Sequence, residues 1–352
     1  MSKFSEGLKT NNQTLQELEE LKRFKKKALG DIQRLTAELE EITKTLNTTE
    51  NVLGTTIAPP KWMSPDKPKV SAATIKVMLS DTHFDEIVNP EEVDGLNAYN
   101  RDIAEMRLKR WSQNVIKVAR HYLAGLKYDG LVLSLGGDIF SGDIHEELKE
   151  TNADTILGSL LHWSEQIGGA IDLLSEEFGK VHVVSVVGNH GRTTRKPRAK
   201  LRAKTNYDWL LAKMLERHYS KNDNISFQIP DGSDALVKVY GYGQLITHGD
   251  QASGGGGIGG VWPPIMRLRA RKAQRYLATG ENFQTMWCGH WHQLVQTPSL
   301  IVNGSLKGAD EYSFVNNFAY EQPQQAFAII TPENGITMQA PIFCQDRKKE
   351  GW

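Results

Sequence analysis

From residue 74 to near the C-terminus, strand-length apolar runs alternate with helix-length amphipathic segments, and five of the runs stop at residues able to hold a metal ion. This alternation constrains the fold more than any other feature of the chain. Strands are expected over 74–80, 131–135, 181–187, 236–240, 244–247, 285–288, 294–296, 300–302 and 326–331. Helices are expected over 101–126, 155–178 and 207–219, with a further one opening near Pro263. Strands alternating with helices predict a layered α/β domain, and polar strand ends in such a domain gather at one edge of the sheet.

The first 53 residues differ from this. They contain no Pro, Trp, Tyr or His. A heptad register places Leu18, Lys25, Ile32, Leu39, Leu46 and Leu53 at position a, and Leu21, Ala28, Leu35, Ile42 and Thr49 at position d. Nine of these eleven are apolar, which predicts a coiled coil over residues 1–54 and a homo-oligomer formed through it. An amphipathic helix folded back on the main domain is the other reading. Residues 55–73 hold four prolines and read as a linker. The α/β domain is then expected over 74–345, with 346–352 as a tail.

Composition narrows the class. Lys plus Arg and Asp plus Glu both number 42, which argues against a uniformly basic nucleic-acid wrapper and against an acidic disordered tail and says nothing of local patches. No apolar run approaches the ~18 residues of a membrane span. The N-terminus lacks a basic segment followed by an apolar core. Two cysteines, Cys288 and Cys344, are too few for a disulfide framework. The expectation is a cytoplasmic protein without a membrane partner.

Five strand ends carry the chemistry: Asp81-Thr-His83, Gly137-Asp138, Gly188-Asn189-His190, His248-Gly, and Gly289-His290-Trp-His292. Singly each is weak, since a Gly-Asp after a strand is usually a turn. Together they place five of the ten histidines directly after apolar strands. Carboxylate, imidazole and amide donors converging on one crevice suit borderline divalent cations.

This ordered set resembles the calcineurin-like metallophosphoesterase superfamily over roughly residues 76–307, and is closest to the double-strand-break repair exonucleases, whose corresponding block the run Gly137-Asp-Ile-Phe140 resembles. The resemblance implies a four-layer αββα sandwich with two divalent ions, Mn first, with Fe, Zn, Ni or Mg as alternatives. Asp81, His83 and His292 would hold one ion. Asn189, His248 and His290 would hold the other, and Asp138 would bridge them. A metal-bridged hydroxide would attack phosphorus, with Asp138 and His190 as catalytic residues and His190 facing the leaving group. Many relatives place an acidic residue directly after this histidine, whereas here Gly191 and Arg192 follow. The usual orienting carboxylate for His190 is therefore missing at that position. Asp143 and His145 follow the bridging-donor loop, and His145 can reach the crevice.

The substrate reading comes from local charge. Residues 178–207 hold eight Lys or Arg and no acid, and residues 261–280 hold five and no acid. Basic surface beside a two-metal site suits a phosphodiester backbone, with Arg192, Arg195 and Lys196 as expected substrate contacts. A solvated helix face is the plainer reading of both stretches. Tyr207, Trp209, Trp262, Trp291 and Tyr312 are candidate stacking residues, and motif position puts only Trp291 near the metals. The glycine-rich run 252–260 is either a flap or a linker; it lacks the Gly-Lys-Ser/Thr of a P-loop. The expected function is metal-dependent phosphodiester hydrolysis, nuclease-like, with nucleic acid as partner. The alternatives are a phosphomonoesterase, a cyclic-nucleotide phosphodiesterase, or a coiled-coil scaffold with a degenerate site. The repair nucleases often work with an ATPase partner, and no sequence feature here indicates one.

Overall fold

A computed structural model describes residues 25, 26, 30, 60–65, 71–252 and 260–352. The chain divides into two units, Met1–Thr55 and Thr56–Trp352. The coiled coil, most of the linker and the interior of the glycine-rich run 252–260 lie outside the described residues.

The second unit is mixed α/β. In chain order its principal elements are β1 (Ala72–Leu79), α1 (Arg101–Lys117), β2 (Lys127–Leu135), α2 (Glu146–Thr151), α3 (Ile156–Phe178), β3 (Val181–Ser185), α4 (Tyr207–His218), β4 (Ile225–Gln228), β5 (Asp234–Val239) and β6 (Tyr242–Thr247). They continue with α5 (Trp262–Ala278), β7 (Thr285–Cys288), β8 (Val295–Gln296), β9 (Leu300–Val302), α6 (Glu311–Val315), β10 (Gln324–Thr331), β11 (Gly335–Phe343) and α7 (Arg347–Glu350). One sheet runs β11-β10-β1-β2-β3-β4, with β1 to β4 parallel and β10 and β11 antiparallel. The other runs β5-β6-β7-β9-β8, with β6, β7 and β9 parallel.

The sheets face one another. Val132, Val184 and Val186 of the first pack with Ala235, Val237, Val239 and Ile246 of the second, and Met78, Ala326 and Ala328 pack with Trp287 and Ile301. Alternation explains this: β5 reads half-buried then buried residue by residue, so one face serves the interior. β1 is buried at every position, as a central parallel strand covered on both faces must be. The outer face of the first sheet is covered by α1, α3 and α4, through Leu108, Trp111, Trp163, Ile167 and Leu211. The second sheet carries Ile265 of α5 against Leu245, Met286 and Val302. Caps fix the helix starts: the side chains of Asn100, Thr155 and Asn206 accept from the first-turn amides of α1, α3 and α4.

Three expectations change. The helix expected over 101–126 is α-helical only to Lys117, then finishes as a π turn over Val118–Tyr122, because β2 begins at Lys127 and the chain must turn back first. Strands β4 and β11 stand where no strand was expected. Residues 346–352, expected as a tail, belong to the domain: Arg107 and Glu350 pair with side chains 0% and 2% exposed.

One buried group in the strand layers sets a pH dependence. Lys76 on β1 is wholly buried, its Nζ 2.8 Å from Ser134 Oγ and 4.8 Å from the Trp287 ring centre. Burial drives its pKa down to about 7, against ~10.4 in an unfolded chain. Between those values the unfolded chain binds the extra proton, so stability rises with pH across the window. Below the folded value the cost is full and constant. Lys76→Met should stabilise the domain by on the order of 1–3 kcal/mol at pH 7. Chemical denaturation at pH 7 and pH 9 should show that gain shrinking at the higher pH; a gain that is absent, or that grows with pH, would refute the assignment.

Candidate metal centre

All five polar strand ends meet at one place. Asp81 and His83 follow β1, Asp138 follows β2, Asn189 and His190 follow β3, His248 follows β6, and His290 and His292 follow β7. Parallel strands from both sheets therefore deliver their C-terminal ends to one crevice. Donor atoms of Asp81, His83 and His292 all lie within 4.8 Å of one another, as do those of Asp138, His248 and His290. A third group joins His83, Asp138 and His190. Asn189 Oδ1 lies 3.2 Å from His248 Nε2, so it stands beside the second group.

The ligand loops are conformationally demanding. Asp81, His83, Asp138, His290 and His292 all have positive φ, from 43° to 72°. For residues with a Cβ this conformation costs on the order of 1–3 kcal/mol each. Backbone bonds between the loops hold it: Asp81 N–H donates to Gly137 O, Thr82 and His83 N–H to Asp138 O, and Gly289 N–H to His248 O. Two glycines make room for the carboxylates. A Cβ at Gly188 would collide with the Asp138 carboxylate, and one at Gly289 with that of Asp81.

Each donor is also oriented from behind. His248 Nδ1 faces Gly136 O at 2.9 Å and leaves Nε2 3.0 Å from Asp138 Oδ2. His83 Nδ1 lies 3.3 Å from Glu86 Oε2, and Lys307 Nζ donates to Glu86 Oε1 at 2.7 Å. The Ser80 hydroxyl donates to Asp81 Oδ2 at 2.5 Å and accepts from Asn303 Nδ2 at 2.8 Å. Ser305 Oγ donates to the Asp81 carbonyl. Asp208, at the start of α4, accepts the backbone N–H groups of Asp138, Ile139 and Gly188. Contacts of this kind fix ring orientation and tune donor strength.

His190, which lacks the usual acidic neighbour, is held by a backbone carbonyl: its Nδ1 lies 2.8 Å from Ser141 O. Its ring meets that of His83 edge-on at 4.5 Å. It stands beside the donor atoms of His83 and Asp138.

Electrostatics fit cations. Burial pushes the Asp138 carboxyl up, yet the imidazoles of His248, His190 and His83 outweigh it and hold it well below the usual carboxylate range. Burial likewise opposes ionisation of Asp81, and His292 and His248 overcome it. His83 and His290 are each driven down to about 4, first by burial, so both present neutral nitrogens. His83 Nε2 and His292 Nε2 lie 3.2 Å apart. Burial opposes a proton on His248, yet Asp138 beside it drives its pKa up to about 10, so it would release that proton on binding an ion. Buried carboxylates facing the neutral nitrogens of His83 and His290 form a donor set that fits divalent metal.

The expected substrate contacts divide. Arg192 is committed to its own loop, donating to the carbonyls of Asn189, Thr194 and Arg195, so it braces the loop that carries Asn189 and His190. Arg195 is exposed and reaches Glu146 at 3.5 Å. Arg202 pairs with Asp250 and Lys204 with Asp231. Lys196, Arg198 and Lys200 are exposed and pair with no described acid. On α5, Lys272 and Arg275 are held by Asp234, and Arg269 by the carbonyls of Ser299 and Gln284. Arg267 and Arg271 remain exposed. Asp143 is exposed, whereas the exposed His145 ring lies 5.8 Å from that of His190, at the lip of the site.

Comparison with models of known protein families and with curated proteins finds no match to this chain. No helix among the described residues is long and apolar enough to cross a membrane.

Proposed function

We propose that this chain is a metal-dependent phosphohydrolase of the calcineurin-like type, cleaving phosphodiester bonds of nucleic acid. The observation that carries the reading is the pair of donor clusters, Asp81/His83/His292 and Asp138/His248/His290, built from parallel strand ends of both sheets around the buried Asp138. The order of helices, sheet, sheet and helix supports a four-layer αββα architecture. Asp81, His83 and His292 would hold one ion, and Asn189, His248 and His290 the other, with Asp138 serving both. Two divalent ions, Mn favoured, supply Lewis-acid polarisation of the phosphoryl group and lower the pKa of water.

The chain's own residues supply the rest. The Ser141 carbonyl fixes the His190 ring beside His83 and Asp138, where it can stabilise charge on, or give a proton to, a departing oxygen. The exposed cations Lys196, Arg198 and Lys200 extend from the same loop and can follow a phosphate backbone. The N-terminal heptads would make the active species an oligomer, and the compartment is the cytoplasm.

The internal commitment of Arg192, Arg202, Lys204, Arg269, Lys272 and Arg275 favours a second reading, in which the substrate is a small phosphoester. One comparison separates the two. Lys196, Arg198 and Lys200 are changed together to Gln, and KM is measured for an oligonucleotide and for a generic aryl phosphodiester. A rise in KM of about 10-fold or more for the oligonucleotide alone is expected, with a shallower salt dependence. Equal KM values for both substrates, before and after the change, would favour the small phosphoester.

A further inference from the structure

A cavity of about 300 Å³ opens beside His292. His292 belongs to a donor cluster and also lines this cavity, so the group attached to a phosphate held at that cluster would lie next to the cavity. Its walls include Trp291, Gln293, Phe318, Tyr320 and Glu321, and among the described residues no Lys or Arg lines it. A site without a cation is ill suited to a second phosphate. It is suited to the neutral part of a phosphoester.

The rim is unusually aromatic for exposed surface. Phe318 and Tyr320 line the cavity and are 52% and 47% exposed, and Tyr312, whose ring meets Phe318 edge-on at 5.8 Å, is 67% exposed, although the domain fully buries Trp111, Trp163 and Trp287. Exposed aromatic side chains gathered at a cavity mark a binding site. Planar side chains beside amide groups suit a flat ring with polar edges: the aromatics stack on its faces, and Gln293 can bond its edge. The volume stands at the lower end for small-molecule pockets, about 300–1,000 Å³, and admits a base but not a duplex.

The rim is also tied to the metal centre. Asp310 caps α6 in a capping box with Ser313, and it pairs with Lys307. Lys307 in turn pairs with Glu86, whose other oxygen faces His83.

We infer that this cavity is a nucleobase subsite, which receives one unstacked base next to the scissile phosphate and so directs the enzyme to single-stranded or frayed nucleotides. The inference rests on the phosphodiesterase reading for the position of the phosphate, but the base-binding site stands independently of catalysis. A base inside a duplex must be unstacked to enter, so paired substrates carry that extra cost.

Full-length protein is titrated with adenosine and with ribose 5-phosphate in EDTA, followed by saturation-transfer NMR, so that neither metal nor turnover is involved. Saturable adenosine binding is expected, weakened about 10-fold or more in Phe318→Ala and in Tyr320→Ala. Phe318→Trp, which keeps an aromatic face, should retain it. Unchanged thermal melting would show that the exposed substitutions leave the fold intact. Hydrolysis with Mn is then compared for single-stranded oligonucleotides with a normal and an abasic residue beside the scissile phosphate. The normal residue should be preferred, and Phe318→Ala should erase the preference. Absence of saturable adenosine binding, or binding insensitive to both alanine variants, would overturn the subsite. Adenosine binding without any hydrolysis would instead count against the phosphodiesterase reading alone.

Discussion

Asp138→Asn should reduce phosphodiester hydrolysis by ~10³-fold or more, with less than full metal occupancy. The substitution keeps shape and removes charge at the carboxylate shared by two donor groups, His83/Asp138/His190 and Asp138/His248/His290. Asp138 Oδ2 lies 3.0 Å from His248 Nε2, and Oδ1 accepts the His190 backbone N–H at 2.7 Å. Asparagine can keep one of these contacts and cannot replace the anion that would balance the two proposed cations. The fold should survive, because the backbone of residue 138 is held by Asp208 and by the β1 loop, whatever its side chain. Metal analysis of the purified variant and kcat with Mn check this. Two ions per chain together with wild-type turnover would remove Asp138 from the centre.

The second large effect concerns stability. Arg107 is wholly buried and uses its guanidinium fully: Glu350 accepts at 2.9 and 3.2 Å, and the carbonyls of Leu306, Lys307 and Ala98 and the Asn97 side chain accept the rest. Arg107→Met would leave the Glu350 carboxylate, 2% exposed, without its cation. Breaking a buried pair from one side costs ~3–5 kcal/mol. In a domain of this size that lowers Tm by roughly 10 °C. Arg107→Met combined with Glu350→Met should recover part of the loss, because no buried charge is then left unpaired. Scanning calorimetry gives the answer; a loss below ~1 kcal/mol would mean that the C-terminal segment contributes little to the domain.

The central strands were legible because each is a short apolar run covered on both faces, as β1 and β3 are at every position. β11 was not, because it is an edge strand with much of its surface open to solvent, and Pro341 interrupts its apolar pattern. β4, with four residues at the opposite edge, offers too short an alternation to stand out. The donors were legible because each follows a strand directly. Their supports were not. Glu86, Asp208 and Lys307 come from loops or a helix start, share no spacing with the donors, and read in sequence as ordinary surface charges. Only the fold shows that Asp208 holds three backbone amides under Asp138 and Gly188, and that Lys307 is buried against Glu86. The charge pattern misled in the other direction. Two acid-free stretches suggested a broad basic surface, yet several of their cations are met by acids distant in sequence, Asp231, Asp234 and Asp250 among them. What remains exposed and without a described acidic partner is smaller, with Lys196, Arg198 and Lys200 on the loop that follows His190 and Arg267 and Arg271 on α5.

The most direct measurement is the rate at which wild-type protein cleaves an end-labelled single-stranded oligonucleotide with Mn present and again after EDTA. Cleavage that requires Mn and stops with EDTA is the expected result. No cleavage of this or any other phosphodiester by protein that carries its full metal would contradict it.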